Sequence, residues 1–216
     1  MRPSSMRLRF LLALTATASL AALLPAPAAA EARTYALDRS HSKVSFTIRH
    51  LMSEVDGRFR DFDGSITYDP QAPERSSVEV TIQATSIDTS NDRRDGHLRS
   101  ADFFDVEKHP TLSFKSTSVQ RESAEGLRVT GDLSIRGVTK QVTIPVRITG
   151  QMPYRGGEKV GFATDFTVDR KEYDVTWNRA LDQGGALLGD EVAISIRVEA
   201  DWAPPQPAAT AAPSGR

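Results

Sequence analysis

Along most of this chain, apolar and polar residues alternate one for one. In 43–50, KVSFTIRH, one face carries Val44, Phe46, Ile48 and His50, and the other carries Lys43, Ser45, Thr47 and Arg49. The same period recurs in 77–83 (Val78, Val80, Ile82), 127–135 (Leu127, Val129, Leu133, Ile135) and 142–148 (Val142, Ile144, Val146, Ile148). It continues in 161–168 (Phe162, Thr164, Phe166, Val168) and 191–200 (Val192, Ile194, Ile196, Val198). Successive side chains of a strand point to opposite faces, so this pattern predicts strands with one buried and one wet face. Shorter strand candidates are 34–37, 58–62, 65–69 and 111–119. Turn chemistry separates them at Asp63-Gly64, Asp69-Pro70, Arg136-Gly137 and Gly156-Gly157. Pro145 has no amide hydrogen for a ladder and is expected at an edge or a bulge. Eight or more strands joined mostly by short turns predict an all-β fold, one antiparallel barrel or sandwich, with no second domain and no internal repeat.

Two segments break the rhythm, 86–110 and 174–190, and irregular stretches of that length in a β domain tend to cover an opening or carry function. In the first, RRDGHLRSADFFDVEKHP (93–110), Ser90 or Asn91 is placed to cap a helix of one or two turns. Asp95 and Arg99 are spaced to pair at i,i+4, and Leu98, Phe103 and Phe104 supply an apolar underside, the composition of a lid. Gly96 limits the helix.

The ends differ in composition. Arg2, Arg7 and Arg9 precede an apolar run, Phe10–Leu24, and Ala28-Ala29-Ala30 fits a cleavage site, so 1–30 reads as a cleaved secretory signal peptide. The remaining chain has no apolar run of membrane-spanning length. The domain is expected over 31–202, followed by a Pro/Ala-rich tail, 203–216, outside the fold. Without 1–30 the chain carries 24 basic and 28 acidic side chains, a net −4, which argues against a nucleic-acid partner. There is no cysteine, so disulfides, thiolate catalysis and Cys-ligated metals are excluded.

Catalytic signatures are weak. His41 and His50, like His97 and His109, lack metal-motif spacing. There is no G-x-S-x-G, and GGALLGD (184–190) lacks the Lys-Ser/Thr of a phosphate loop. The apolar strand faces say more. A barrel of eight strands can fill its interior with side chains or leave room for one ligand. Alternation alone leaves both open.

Several blocks carry a resemblance: YALDRSHSKVSFTIRHLM (35–52), GRFRDFDGSITYD (57–69), SSVEVTIQATSIDTSNDRRDGHLRSADFFDVEKHPTLSFKSTSV (76–119), GDLSIRGVTKQVTIPV (131–146), DRKEYDVTWN (169–178) and GDEVAISIRVEA (189–200). Together, over about 33–202, they resemble the YceI-like family of exported bacterial polyisoprenoid-binding proteins. One departure is Asp174, where the family often has Gly. The resemblance implies a lipocalin-like antiparallel eight-stranded β-barrel, extended and with a short helical segment around 90–104. It implies a hydrophobic pore for a long-chain apolar lipid, periplasmic location, a homodimer, and neither a catalytic reaction nor a cofactor. The family does not have one agreed ligand; polyprenyl chains, prenyl phosphates, isoprenoid quinones and fatty-acyl amides stay open, for carriage, storage or stress protection. The lining candidates are Phe46, Ile48, Val80, Phe114, Leu133, Ile144, Phe162 and Phe166. Leu98, Phe103 and Phe104 belong to the lid, and His50, Arg94, His97 and Arg99 are placed to meet a head group. The alternatives are a cyclase-like or metal-dependent enzyme using His41, His50 or His109, and a solid-core protein-interaction module.

Overall fold

The alternating segments become strands. In chain order they are β1 (Arg33–Leu37), β2 (Lys43–His50), β3 (Ser53–Phe59), β4 (Phe62–Tyr68), β5 (Ser77–Gln83) and β6 (Ile87–Asp88). After the helix α1 (Asp92–Arg99) come β7 (Thr111–Arg121), β8 (Gly126–Ile135), β9 (Val138–Tyr154), β10 (Gly157–Asp169) and β11 (Leu188–Trp202). The computed structural model describes residues 32–182 and 185–204. The expected leader and nearly all of the Pro/Ala-rich end lie outside the described residues.

Pairing is antiparallel throughout in the order β1-β4-β5-β7-β8-β9-β10-β11, and β11 pairs back onto β1, which closes a barrel. The order continues from β11 to β2, β3 and β6. β1 and β2 lie along the same edge of β11, with Leu37 opposite Ala200 and Val44 opposite Ile196. β3 and β4 follow each other in the same way, β3 pairing with β2 and β4 with β1. Two walls of the barrel are therefore interrupted strands, broken at 38–42 and at Arg60-Asp61. The result is a closed eight-stranded antiparallel barrel with extra strands and one short helix.

Two expectations needed correction. The candidate strand 58–62 straddles the break between β3 and β4. Asp63-Gly64 is no turn but lies inside β4, opposite Thr81 and Val80. A Cβ on Gly64 would stand 2.3 Å from the Glu79 carbonyl oxygen, so this glycine serves a close backbone approach. Pro145 behaves as expected. The β9–β10 register ends at Arg147, so Pro145 pairs only with Arg128 of β8.

Inward side chains form two clusters. Tyr35, Tyr68, Val129, Ile144, Val160, Phe162 and Ala200 pack one end of the barrel, with Tyr68 and Phe162 edge to face at 5.4 Å. There the fully buried Tyr35 donates its hydroxyl hydrogen to Glu158, which also binds Arg33 at 2.8 Å. Burial, reinforced by Glu158, pushes the Tyr35 hydroxyl far above its usual range. The second cluster, Val44, Phe59, Phe62, Ala84, Ile87 and Leu112, lies beneath Leu98 and Phe104.

Candidate functional site

The inward faces do not fill the barrel. Between the clusters lies a cavity of about 190 Å³, lined by Phe46, Val80, Phe114, Leu133, Ile144, Phe162 and Phe166 among others. A second cavity, about 520 Å³, is lined by Ile48, His50, Arg94, His97, Leu98, Phe103, Phe104, Tyr173, Val175 and Trp177. Phe46, Phe59, Leu112, Ile135, Val168 and Ile194 line both, so the two spaces adjoin across a waist of apolar side chains. The solid-core alternative does not describe this interior.

Sequence features explain how strands of large residues leave space. Gly57 stands directly opposite Phe46, whose ring lies over it; a Cβ at Gly57 would come within 2.2 Å of that ring. β7 carries an irregularity between Ser116 and Ser118, which brings Val119 onto the inward face with Leu112 and Phe114.

The outer cavity is closed over by α1 and the turns after it. Asn91 caps the helix, its side chain accepting from the Arg94 amide at 3.0 Å. The buried Asp95 carboxylate does not pair with Arg99; it accepts from the Thr89 amide at 3.0 Å and from the Thr89 hydroxyl. Arg99 lines neither cavity. Its guanidinium donates to the carbonyls of Thr85 and Ile87, each at 2.8 Å, and fastens the helix to the barrel. A helix tied this way leaves its acidic and basic side chains to hold backbone, which spacing along the helix alone did not reveal.

Polar groups at the outer cavity are few: His50, Ser53, Glu54, Thr89, Arg94, His97 and Arg170. Arg94 donates Nε to the Thr89 hydroxyl at 2.7 Å and Nη2 to the Thr89 carbonyl at 2.8 Å. His97 is less available to a head group than expected. Its Nε2 lies 2.8 Å from Asp102 Oδ2, and its ring stands edge-on to Phe103 (5.0 Å) and Trp177 (4.9 Å). His50 ends β2 at the rim, with Glu54 also at the cavity edge.

Arg170 and Trp177 were not among the residues expected from sequence. Arg170, 5% exposed, donates to the carbonyls of Val175 (2.7 Å), Trp177 (2.8 Å) and Gly189 (2.9 Å) and so shapes this side of the mouth. Burial lowers its pKa, and Asp190 and Asp169 oppose that shift. A signal was available in Tyr173, Val175 and Trp177, which keep period two inside a segment that otherwise reads as irregular.

The histidines proposed for an enzyme do not meet. His41 precedes β2 and His50 ends it, so the strand Lys43–His50, about 23 Å at about 3.3 Å per residue, lies between them. His109 packs against the β8–β9 turn, beside Gly137. Among the described residues, the one group with ligand atoms close enough to hold a metal is Asp38, His41 and Glu199, on the outer wall. Its centre is already served by the Lys159 ammonium, 2.8 Å from Asp38 and 3.0 Å from Glu199. The residues fit a buried cation of the protein's own better than a metal ion.

A closed antiparallel barrel with a hollow, apolar interior is a lipocalin-like architecture. The chain belongs to the YceI-like domain family, whose model matches residues 35–200. It is 40% identical over 183 residues to Protein YceI of Salmonella arizonae and to that of Salmonella paratyphi B, covering 82% of this chain and 93% of each relative. The YceI protein of Campylobacter jejuni superposes with a TM-score of 0.64 at 31% identity, covering 72% of this chain and 90% of that one. The fold is shared with a polyisoprenoid binding domain from Saccharophagus degradans, with a TM-score of 0.60 and 15% identity, covering 79% and 98%.

Proposed function

We propose that this protein binds an isoprenoid-type lipid, as a carrier or store and without catalysis, in the periplasm. The observation that carries this reading is the pair of adjoining cavities along the barrel, apolar within and bearing Arg94 at one end. Burying hydrocarbon contributes about 0.8 kcal/mol per CH₂, so a long chain gains most from a long apolar space. Arg94 at the outer cavity suits a phosphate or carbonyl oxygen at the chain's end. The polyisoprenoid binding of the Saccharophagus degradans domain supports the ligand class, and the signal-like residues 1–30 support export.

The test is to produce the chain with its leader in bacteria, recover it without detergent, denature it and analyse the organic extract by mass spectrometry. A stoichiometric prenyl lipid is expected. Repeated absence of one, with no uptake of added polyprenol, sinks the reading. A second arm fills the inner cavity with Ile144→Trp. Affinity for long polyprenols should then fall at least about tenfold, since each tenfold needs only about two lost CH₂ contacts, while short prenols keep theirs.

A further inference from the structure

The turn between β2 and β3 runs against its own conformational preferences. His50 pairs with Ser53, so Leu51 and Met52 are its two turn residues. A two-residue hairpin turn places its first residue at positive φ, which Gly, Asn and Asp adopt most easily. The Arg136-Gly137 and Arg155-Gly156 turns each pair a polar residue with glycine. Leu51 instead takes φ 52° with a bulky apolar side chain, and its amide is held by the Leu187 carbonyl at 2.9 Å. Met52 is fully exposed, at 104%, and Leu51 remains 42% exposed. Local preference and solvation both disfavour Leu51, and solvation disfavours Met52, a conflict that points to a role outside the fold.

Their position says what that role is. His50 and Ser53 line both the outer cavity and a hollow of about 570 Å³ beside Leu51 and Met52, so the apolar tip is continuous with the mouth. The exposed Arg49 flanks the tip, its guanidinium 3.2 Å from the Leu51 carbonyl, where lipid phosphates meet an interfacial cation. A hydrocarbon chain crossing water between cavity and bilayer would lose its apolar surroundings over its whole length. Exchange therefore favours a mouth that touches the bilayer.

We propose that Leu51 and Met52 insert into the surface of a lipid bilayer and seat the cavity mouth on it; this rests on the lipid-binding reading above. The test compares the protein with a Leu51→Gly, Met52→Asn variant, which puts glycine at the turn's positive-φ position and should fold at least as well. Flotation with vesicles of phosphatidylethanolamine and phosphatidylglycerol, and binding of radiolabelled polyprenol in solution, are measured separately. The variant should bind polyprenol as before, float at least about tenfold less and pass the label between vesicles more slowly. Equal flotation of the two proteins overturns the proposal. So does polyprenol binding with no flotation, which leaves the cavity reading standing. Tip-dependent flotation without polyprenol binding sustains the docking and overturns the cavity reading. A tip-dependent dimer in sedimentation velocity, with no flotation, makes the turn a contact between copies and overturns the membrane.

Discussion

Asp174 shows how a single residue records the backbone beneath it. It follows the short turn 170–173 and takes φ 58°, the left-handed region that glycine enters without a Cβ penalty. Aspartate, whose short polar side chain is among the less costly in that region, can stand where the resemblance led one to expect glycine. Its carbonyl accepts from Arg136, which also donates to the Ala101 carbonyl at 2.7 Å and so links the two segments over the mouth. Asp174→Gly keeps that carbonyl and should stabilise the protein by about 0.5–1 kcal/mol, read as a higher urea midpoint at unchanged slope. The inward Val, Ile, Leu and Phe positions were legible from alternation because period two is a property of the strand itself. Arg99 was not, because its role depends on two carbonyls more than ten residues away in sequence.

Among the elements, α1 and β3 mark where pattern reading succeeded and where it failed. The helix was legible from its cap, which acts locally. β3 was obscured because Gly57 occupies an inward position where an apolar residue was expected, and that gap is filled from the next strand by Phe46. In α1, Gly96 is exposed, with nothing within 4 Å of where a Cβ would stand. Gly96→Ala should therefore stabilise the helix by about 1 kcal/mol, measurable as slower amide exchange across 92–99. Phe103 is 6% exposed and packs on Trp177 at 5.2 Å. If the helix and its turns act as a lid, Phe103→Ser should release bound polyprenol faster, by about tenfold or more, while the barrel stays folded. Unchanged release from a folded variant would remove the lid.

For the molecule as a whole, the outer wall carries a pH signature. The Lys159 ammonium holds the Asp38 carboxyl far below the usual carboxylate range, with His41 adding to the effect, and Asp38 in turn raises Lys159 well above its ordinary value. The sign differs between partners. The Asp38 contribution is present above its unfolded pKa, about 4, and is lost as pH falls below that. The Lys159 contribution is complete below about pH 10.4 and is lost as pH rises beyond it. Urea midpoints should be flat from about pH 5 to 9 and fall on both sides. Lys159→Met should weaken the dependence at both ends. Lipid bound at 100 times its Kd would add about 2.7 kcal/mol, so delipidation should lower Tm by about 5–10 °C.

The unequal pairing of β3 has a consequence for how such a barrel avoids its own kind. β3 is laddered to β2 along its whole length, but on its other side only Arg58 and Phe59 meet β6. Among the described residues, Ser53–Gly57 thus has no partner on that side and presents a sheet border beside the mouth, the sort of template onto which a stray strand can add. Glu54, Asp56 and Arg58 crowd its outer face with charge, and the neighbouring hairpin tip interrupts any long flat run. Neutralising that border with Glu54→Thr and Asp56→Val should make the barrel assemble edge to edge, visible as concentration-dependent light scattering.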